Sequence, residues 1–349
     1  MILSLRLLRL CGRTPTEQLA MQSVIQLKTS PRVVVGRAAV IASPNEIRIH
    51  EREFREPAPE EVRVRIEGCG VCASNLPLWE GKPWFEYPLE PGAPGHEAWG
   101  RIDATGAGVT DFVPGDRVAM LSSHAFAKYD FARVSEVVHL PASLDALPFP
   151  AEPLGCAMNI FKRALIEPGQ TVAIVGIGFL GALLTQLATK AGARVFAISR
   201  RRSSLKLAEE FGAAVTIDTR PAQETVGELT RGRGCDCVIE VVGTQASLDL
   251  ATALTSERGR LVIAGYHQDG PRQVNMQLWN WRGLDVINAH ERDSQVYVTG
   301  MREAIAAVEN GVMDPQPLYT HTFKLDELPR AFETMENSPE GFVKALIIV

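Results

Sequence analysis

After Pro168 the chain begins to alternate, with short apolar runs each followed by a helix-like stretch. The runs are "TVAIV", "RVFAIS", "AVTID", "CDCVIEVVG", "RLVIAG" and "DVINA", and segments such as "LGALLTQLATKAGA" and "SSLKLAEEFGA" lie between them. Apolar strands linked by crossover helices bury both faces in a parallel sheet covered on each side. Six such runs predict a doubly wound α/β sheet. Ahead of them, from about Arg32 to Leu154, short strands and turns predominate. In "EEVRVRIEGCG", Val62, Val64 and Ile66 alternate with Arg63 and Arg65, the period of a strand buried on one face.

The first apolar run leads straight into Gly176-Ile177-Gly178-Phe179-Leu180-Gly181, a GxGxxG pattern between a strand and a helix. In that setting the first glycine makes a tight turn and the second lets the backbone approach a pyrophosphate. The third packs helix on strand. The helix start, at Phe179 and Leu180, offers free N–H groups to the phosphates. Dinucleotide binding is therefore expected. At the end of the second strand an NAD enzyme tends to carry an acid for the ribose hydroxyls, whereas this chain reads Ser199-Arg200-Arg201-Arg202. Arginine pairs with a 2′-phosphate, so NADP(H) is expected over NAD(H), with Ser199 and Arg200 making the contact. The alternative is that the arginines form a solvated cap.

The bulk numbers exclude several classes. At 349 residues two domains are expected, and 46% hydrophobic with 22% charged residues is an ordinary globular composition. Lys and Arg total 36 against 41 Asp and Glu, a net charge of -5 with no general attraction for nucleic acid or anionic lipid. The longest apolar run, Val172 to Leu184, is too short for a membrane helix and is interrupted by glycines, so no span is expected. The six cysteines are too scattered for a disulfide framework, which fits a reducing, cytoplasmic setting. The first residues, "MILSLRLLRLCGRTPTEQLA", read as a disordered extension, or as an over-long start with Met21 as the true beginning.

The stretch "EPGAPGHEAWG" sets His96 beside Glu97, a pair that alone reads as a solvated surface turn. Upstream, "GCGVCASN" supplies Cys72, and downstream "AEPLGCAMN" supplies Glu152 and Cys156. These pieces, with "GDRV", the GxGxxG strand and "VIEVVG", resemble in order the zinc-dependent medium-chain alcohol and polyol dehydrogenases, from about Arg32 to Val349. The resemblance implies a GroES-like β-rich catalytic domain, a Rossmann domain inserted before the last part, and one catalytic zinc between them. It divides the chain into an extension over 1–21, a catalytic domain over 22–157 and 294–349, and a Rossmann NADP-binding domain over 158–293. It makes Cys72 and His96 zinc ligands, and Glu97 a carboxylate that ligates directly or in exchange with water. Glu152, as in polyol dehydrogenases, or Cys156, as in other alcohol dehydrogenases, is the remaining ligand. Ser74 matches the hydroxyl that relays the alcohol proton, and Lys344 a basic residue directed toward the cofactor pyrophosphate.

The sequence also departs from that pattern. "CGSDxH" becomes Cys72-Ala73-Ser74-Asn75-Leu76-Pro77, so an amide replaces an outer carboxylate and Pro77 removes the imidazole of a longer proton relay. The four-cysteine lobe of a second, structural zinc is missing between Glu97 and Glu152, so one metal per chain is expected. Cys69 and Cys72 form a CxxC at a strand end rather than a helix start, which argues against redox activity. Cys235 and Cys237 are expected to be buried on the same face of their strand. Trp79, Trp84, Phe85 and Tyr87 lie where they would wall a substrate cleft or close a loop over the core.

Together these readings predict a zinc-dependent, NADP(H)-linked alcohol or polyol dehydrogenase acting on a small-molecule alcohol or carbonyl, and a homodimer or homotetramer by analogy with relatives. A zinc-free quinone or enone reductase of the same superfamily is a second reading, opposed by Cys72, His96 and Glu152. A non-catalytic nucleotide-binding protein of the same fold is a third.

Overall fold

The computed structural model describes residues 33–349. The N-terminal extension, with Cys11 and Met21, lies outside the described residues.

The alternating segment forms a parallel sheet of six strands: β8 (Thr171–Val175), β9 (Arg194–Ser199), β10 (Val215–Asp218), β11 (Cys235–Glu240), β12 (Thr255–Ile263) and β13 (Asp285–Asn288). Their spatial order is β10-β9-β8-β11-β12-β13. The order reverses between β8 and β11, and a doubly wound sheet opens a ligand crevice at such a reversal, beyond the strand C-termini. The six apolar runs are the six strands, and the fold class is as the sequence predicts.

The second sheet has seven strands: β3 (Glu61–Val71), β4 (Glu97–Thr105), β5 (Arg117–Leu121), β6 (Tyr129–Arg133), β7 (Val137–His139), β14 (His321–Lys324) and β15 (Ala345–Ile348). The C-terminal strand β15 runs antiparallel to β3, so the chain's end returns to the sheet built by its first half. A hairpin of β1 (Val34–Ser43) and β2 (Glu46–Phe54) joins this part through Ala39 N–H donating to Phe126 O at 2.8 Å. Alternation on β3 is as expected at Val62, Val64 and Ile66, all buried, but Arg63 is buried too and pairs with Asp103 at 2.7 Å.

In chain order the helices are α1 (Leu76–Trp79), α2 (Ala151–Ala164), α3 (Phe179–Lys190), α4 (Arg202–Glu210), α5 (Ala222–Leu229), α6 (Gln245–Leu254), α7 (Met276–Arg282), α8 (Ser294–Glu309) and α9 (Leu328–Asn337). Helix α2 spans residue 157 without a break and packs on α8. Gly155 and Gly300 permit the close crossing: a Cβ on Gly155 would lie 2.8 Å from Met301 N, and one on Gly300 2.7 Å from Gly155 O. A single apolar cluster runs through α2, α3 and α8 and joins the two sheets, with Trp99 and Val138 at one end and Ile174 and Val195 at the other.

One packing expectation needs correction, and between two readings of the aromatic cluster the structure favours loop closure. Cys235 and Cys237 are both buried, but they enter different clusters, because the pairing of β11 with β12 shifts register between them. Trp79 is buried and stacks on Phe332 with ring centroids 5.2 Å apart, while Trp84 is 53% exposed. None of Trp79, Trp84, Phe85 and Tyr87 lines the main cleft. The loop carrying them closes against the core of the seven-stranded sheet.

Candidate active site

A cleft of about 620 Å³ lies between the two sheets, within the size range of small-molecule sites. One wall is the glycine-rich turn. Gly176 has φ +104°, which favours glycine, and a Cβ on Gly181 would lie 2.0 Å from Gly176 O, so α3 packs directly on the β8 turn. Gly178 faces open space, leaving the backbone free to approach a ligand. Phe179, Leu180 and Gly181 begin α3 and also line the cleft.

Across the cleft, β3 ends at Val71 and β4 begins at Glu97, and these two strand ends bring Cys72, His96 and Glu97 together. One donor atom from each lies within 4.8 Å of the other two, the only such group of three or more among the described residues. His96 Nδ1 lies 3.0 Å from Pro94 O. With Nδ1–H donating there, Nε2 is left as the ligating atom, the usual way an outer contact selects the tautomer. Asn75, at the expected carboxylate position, donates Nδ2 to the same Pro94 oxygen at 3.4 Å. A backbone carbonyl thus orients the imidazole here. Burial alone would lower the His96 pKa, but the hydrogen-bonded Cys72 sulfur, with Glu152 and Glu97, raises it to about 10 in the metal-free protein.

Glu97 is fully buried. Its Oε1 accepts from Lys344 Nζ at 2.5 Å, and its Oε2 is shut off from solvent without a hydrogen-bond partner. Burial opposes the charge on Lys344, yet Glu97 and Cys72 hold its pKa above the ordinary value. Strand β3 leaves room for the carboxylate only because residue 70 is glycine, where a Cβ would lie 1.8 Å from Oε2. A buried orphan oxygen beside a thiol and an imidazole is a donor set with an unfilled valence, and sulfur, nitrogen and oxygen together suit zinc. The residues fit that ion.

Glu152 and Cys156 lie one turn apart on α2, and the Cys156 thiol donates to Glu152 Oε1 at 3.4 Å. Burial raises both pKa values, that of Cys156 well above the free thiol. Neither joins the three-donor cluster, though both line the cleft. Ser74 lines it too and donates to Asn75 Oδ1 at 3.4 Å. Lys344 borders the cleft, but its ammonium is paired with Glu97 rather than free for a pyrophosphate. At the end of β9, Ser199 is buried and accepts from Arg201 N–H at 3.3 Å. The guanidinium at the cleft is that of half-buried Arg201, whereas Arg200 is exposed and does not line it.

The sequence reading missed several residues. Glu240, at the C-terminal end of β11, is fully buried; Oε1 accepts from the N–H groups of Val242 and Gly243 at 2.7 Å each, and Oε2 lies 3.0 Å from His267 Nε2. Arg272 Nε donates to His267 Nδ1 at 2.8 Å, which leaves the Nε2 proton for Glu240. This network ties together the two strand-end loops whose Val242, Gly265 and Tyr266 border the cleft. A lone acid ending an apolar strand was the available signal. Tyr297, Tyr266 and Phe342 line the cleft from segments with no motif.

A parallel nucleotide-type sheet facing a thiol, imidazole and carboxylate across a shared cleft defines a two-part oxidoreductase with a metal-binding catalytic side. Comparison with known proteins agrees. Residues 58–140 match the alcohol dehydrogenase GroES-like domain, and residues 180–307 match the zinc-binding dehydrogenase family. The chain is 27% identical to sorbitol dehydrogenase of Halalkalibacterium halodurans, over 83% of this chain and 92% of that protein. It is also 27% identical to erythritol/L-threitol dehydrogenase of Mycolicibacterium smegmatis, over 89% of this chain and 97% of that protein. A zinc-binding dehydrogenase structure from Sinorhizobium meliloti, bound to NADP, superposes with a TM-score of 0.79 at 26% identity, covering 90% of this chain and all of that one. The chain belongs to the zinc-dependent medium-chain dehydrogenase/reductase superfamily and is an alcohol dehydrogenase-like oxidoreductase.

Proposed function

We propose that this protein is a zinc-dependent, NADP(H)-linked dehydrogenase that interconverts an alcohol or polyol and its carbonyl. The observation that carries the reading is the buried, unpartnered Glu97 Oε2 beside Cys72 and His96, across the cleft from the glycine turn. Cys72, His96 and a carboxylate would hold one zinc. We assign Glu152 rather than Cys156 to complete the set, with Glu97 as the adjacent, exchanging carboxylate. The Cys156 thiol donates to Glu152, which marks the glutamate as the anion of that pair. When bound, zinc would supply Lewis-acid polarisation of the substrate oxygen.

The protein's own groups do the rest. The Gly178 turn and the start of α3 would hold a pyrophosphate, and Glu240 fixes the strand-end loops that border the cleft beside them. Ser74 is placed to take the alcohol proton. Its own hydrogen bond runs to Asn75 Oδ1, an amide oxygen that cannot accept a proton for onward transfer, and Pro77 carries no relay group. Proton exit therefore runs from Ser74 to water at the cleft mouth. A bound nicotinamide would supply the hydride exchange with the substrate's carbinol carbon.

NADP(H) preference is supported by the absence of an acid at the end of β9 and by Arg201 at the cleft, and a relative at 26% identity holds NADP. Among the described residues the sheets support a catalytic part up to 157 and over 294–349 around a nucleotide part over 158–293, with α2 shared at the junction. A homodimer or homotetramer is supported by β13, an edge strand among the described residues, and by Trp281, 76% exposed. Initial rates for a panel of alcohols, polyols and ketones, each with NADP(H) and NAD(H), test the reading. Turnover of at least one polyol or secondary alcohol with higher kcat/KM for NADP(H) supports it. Preference for NAD(H), or reduction of enones alone, overturns it.

A further inference from the structure

The start of α4 is held by residues from the far end of the chain. Helix α4 has no side-chain cap of its own and no acid in its first turn, although helix N-termini favour an anion. The anion comes instead from Glu340, whose Oε1 accepts from Ser203 N–H at 3.1 Å across 137 residues of sequence. Two further bonds complete the strap: Arg201 Nη1 donates to Phe342 O at 3.0 Å, and Gly341 N–H donates to Ser203 Oγ at 3.4 Å. Arg201 and Phe342 both line the cleft that holds the glycine turn.

This is also where the adenosine ribose is read, since the strand-β9 end and the following helix start face that sugar in a doubly wound nucleotide site. We propose that Glu340 is a specificity-determining residue for the cofactor, a resident anion at the 2′-phosphate position that NADP(H) must displace and that NAD(H) can leave in place. The inference rests on the NADP(H) reading above: Arg201 favours that cofactor, and Glu340 reduces the margin of preference. A 2′-phosphate carries a charge of about -1.5 to -2 and competes with the Glu340 carboxylate for Ser203 N–H, while Arg201 keeps donors beyond its Nη1 bond to Phe342 O. A carboxylate and a phosphate cannot share that single N–H. A 2′-hydroxyl, by contrast, can donate to the Glu340 carboxylate. Burial lowers the Arg201 pKa while Glu340 raises it, so the two side chains already sense each other. Entry of the phosphate therefore releases the Glu340 carboxylate from α4, and cofactor choice is coupled to that contact between the two parts of the chain.

The test is a set of binding titrations with NADPH, NADH and adenosine 2′-phosphate on the zinc-loaded full chain. Wild type is compared with Glu340→Gln and with Glu333→Gln, an exposed carboxylate on α9 that makes the same change in net charge. Glu340→Gln is expected to lower the ratio of the NADPH to the NADH dissociation constant roughly fivefold, the scale of one charge at a helix N-terminus, and to tighten adenosine 2′-phosphate similarly. Glu333→Gln should leave the ratio within about twofold. An unchanged ratio in Glu340→Gln, or an equal shift in both variants, overturns the inference while NADPH preference in wild type upholds the cofactor reading. NADH preference in wild type, with no binding of adenosine 2′-phosphate, overturns the cofactor reading itself.

Discussion

Lys344 Nζ lies 2.5 Å from Glu97 Oε1, although 247 residues separate them in sequence and both side chains are buried. The last strand of the chain thus delivers a cation to the carboxylate behind the metal-type cluster. Lys344→Met leaves Glu97 as an unpaired buried charge, a change that typically costs about 3–5 kcal/mol. Urea unfolding of the metal-free variant should show a loss on that scale. Zinc should recover part of it by giving the carboxylate a new counter-charge, and an equal loss with and without zinc would count against Glu97 facing the metal.

Gly70 is the position where β3 makes room for Glu97. A methyl group at that Cβ would sit 1.8 Å from Oε2, so Gly70→Ala must push the carboxylate out of place. Displaced supporting groups commonly weaken metal sites by about 10- to 100-fold. Competition against a chelator should show a fall of that order in zinc affinity, with NADPH binding retained. Unaltered zinc affinity would mean that Glu97 has no part in the site.

His96 sets a pH dependence in the chelator-treated protein. Its folded pKa, about 10, lies above the ordinary value of 6.5, so protonated His96 stabilises the metal-free fold. That contribution is fully present below pH 6.5 and is lost as pH rises through 10. The Tm of the metal-free protein should therefore decline across this window more steeply than that of metal-free His96→Gln. Zinc requires the neutral ring, so the loaded enzyme should lack this decline. Parallel profiles for wild type and variant would contradict the predicted shift.

Glu152 and Cys156 stand one turn apart, and their roles separate by substitution. Glu152→Gln should weaken zinc binding by about tenfold or more, as expected for a ligand or a group close to one. Cys156→Ala removes a thiol whose proton points to Glu152, and it should keep the zinc content of wild type. Reversed results in a zinc titration would move the ligand assignment to the cysteine.

The six strands of the parallel sheet were legible because each is a short apolar run bounded by turn residues, and the GxGxxG spacing located the crevice. Helix α2 was not legible. Its segment carries Pro153 and Gly155, residue types that disfavour a helix interior, but Pro153 sits in the first turn, where its missing N–H costs nothing, and Gly155 is there for the crossing with α8. The convergence of Cys72 with His96 followed from motif order, whereas the pairing of Glu97 with Lys344 leaves no local trace in either segment. The aromatic cluster at 79–87 stayed open between cleft wall and loop closure for a related reason: closeness to Cys72 in sequence does not fix which side of the loop faces the cleft. The cleft's own aromatics, Phe179, Tyr266, Tyr297 and Phe342, come from four distant segments, and only Phe179 belongs to a motif.

Elemental analysis of the purified chain, paired with alcohol oxidation rates before and after chelation, tests the metal-centred account most directly. It predicts about one zinc per chain, activity lost on zinc removal and restored on its return, and neither metal nor turnover in Cys72→Ser. Less than about a tenth of an equivalent of zinc, with turnover indifferent to the chelator, would contradict it.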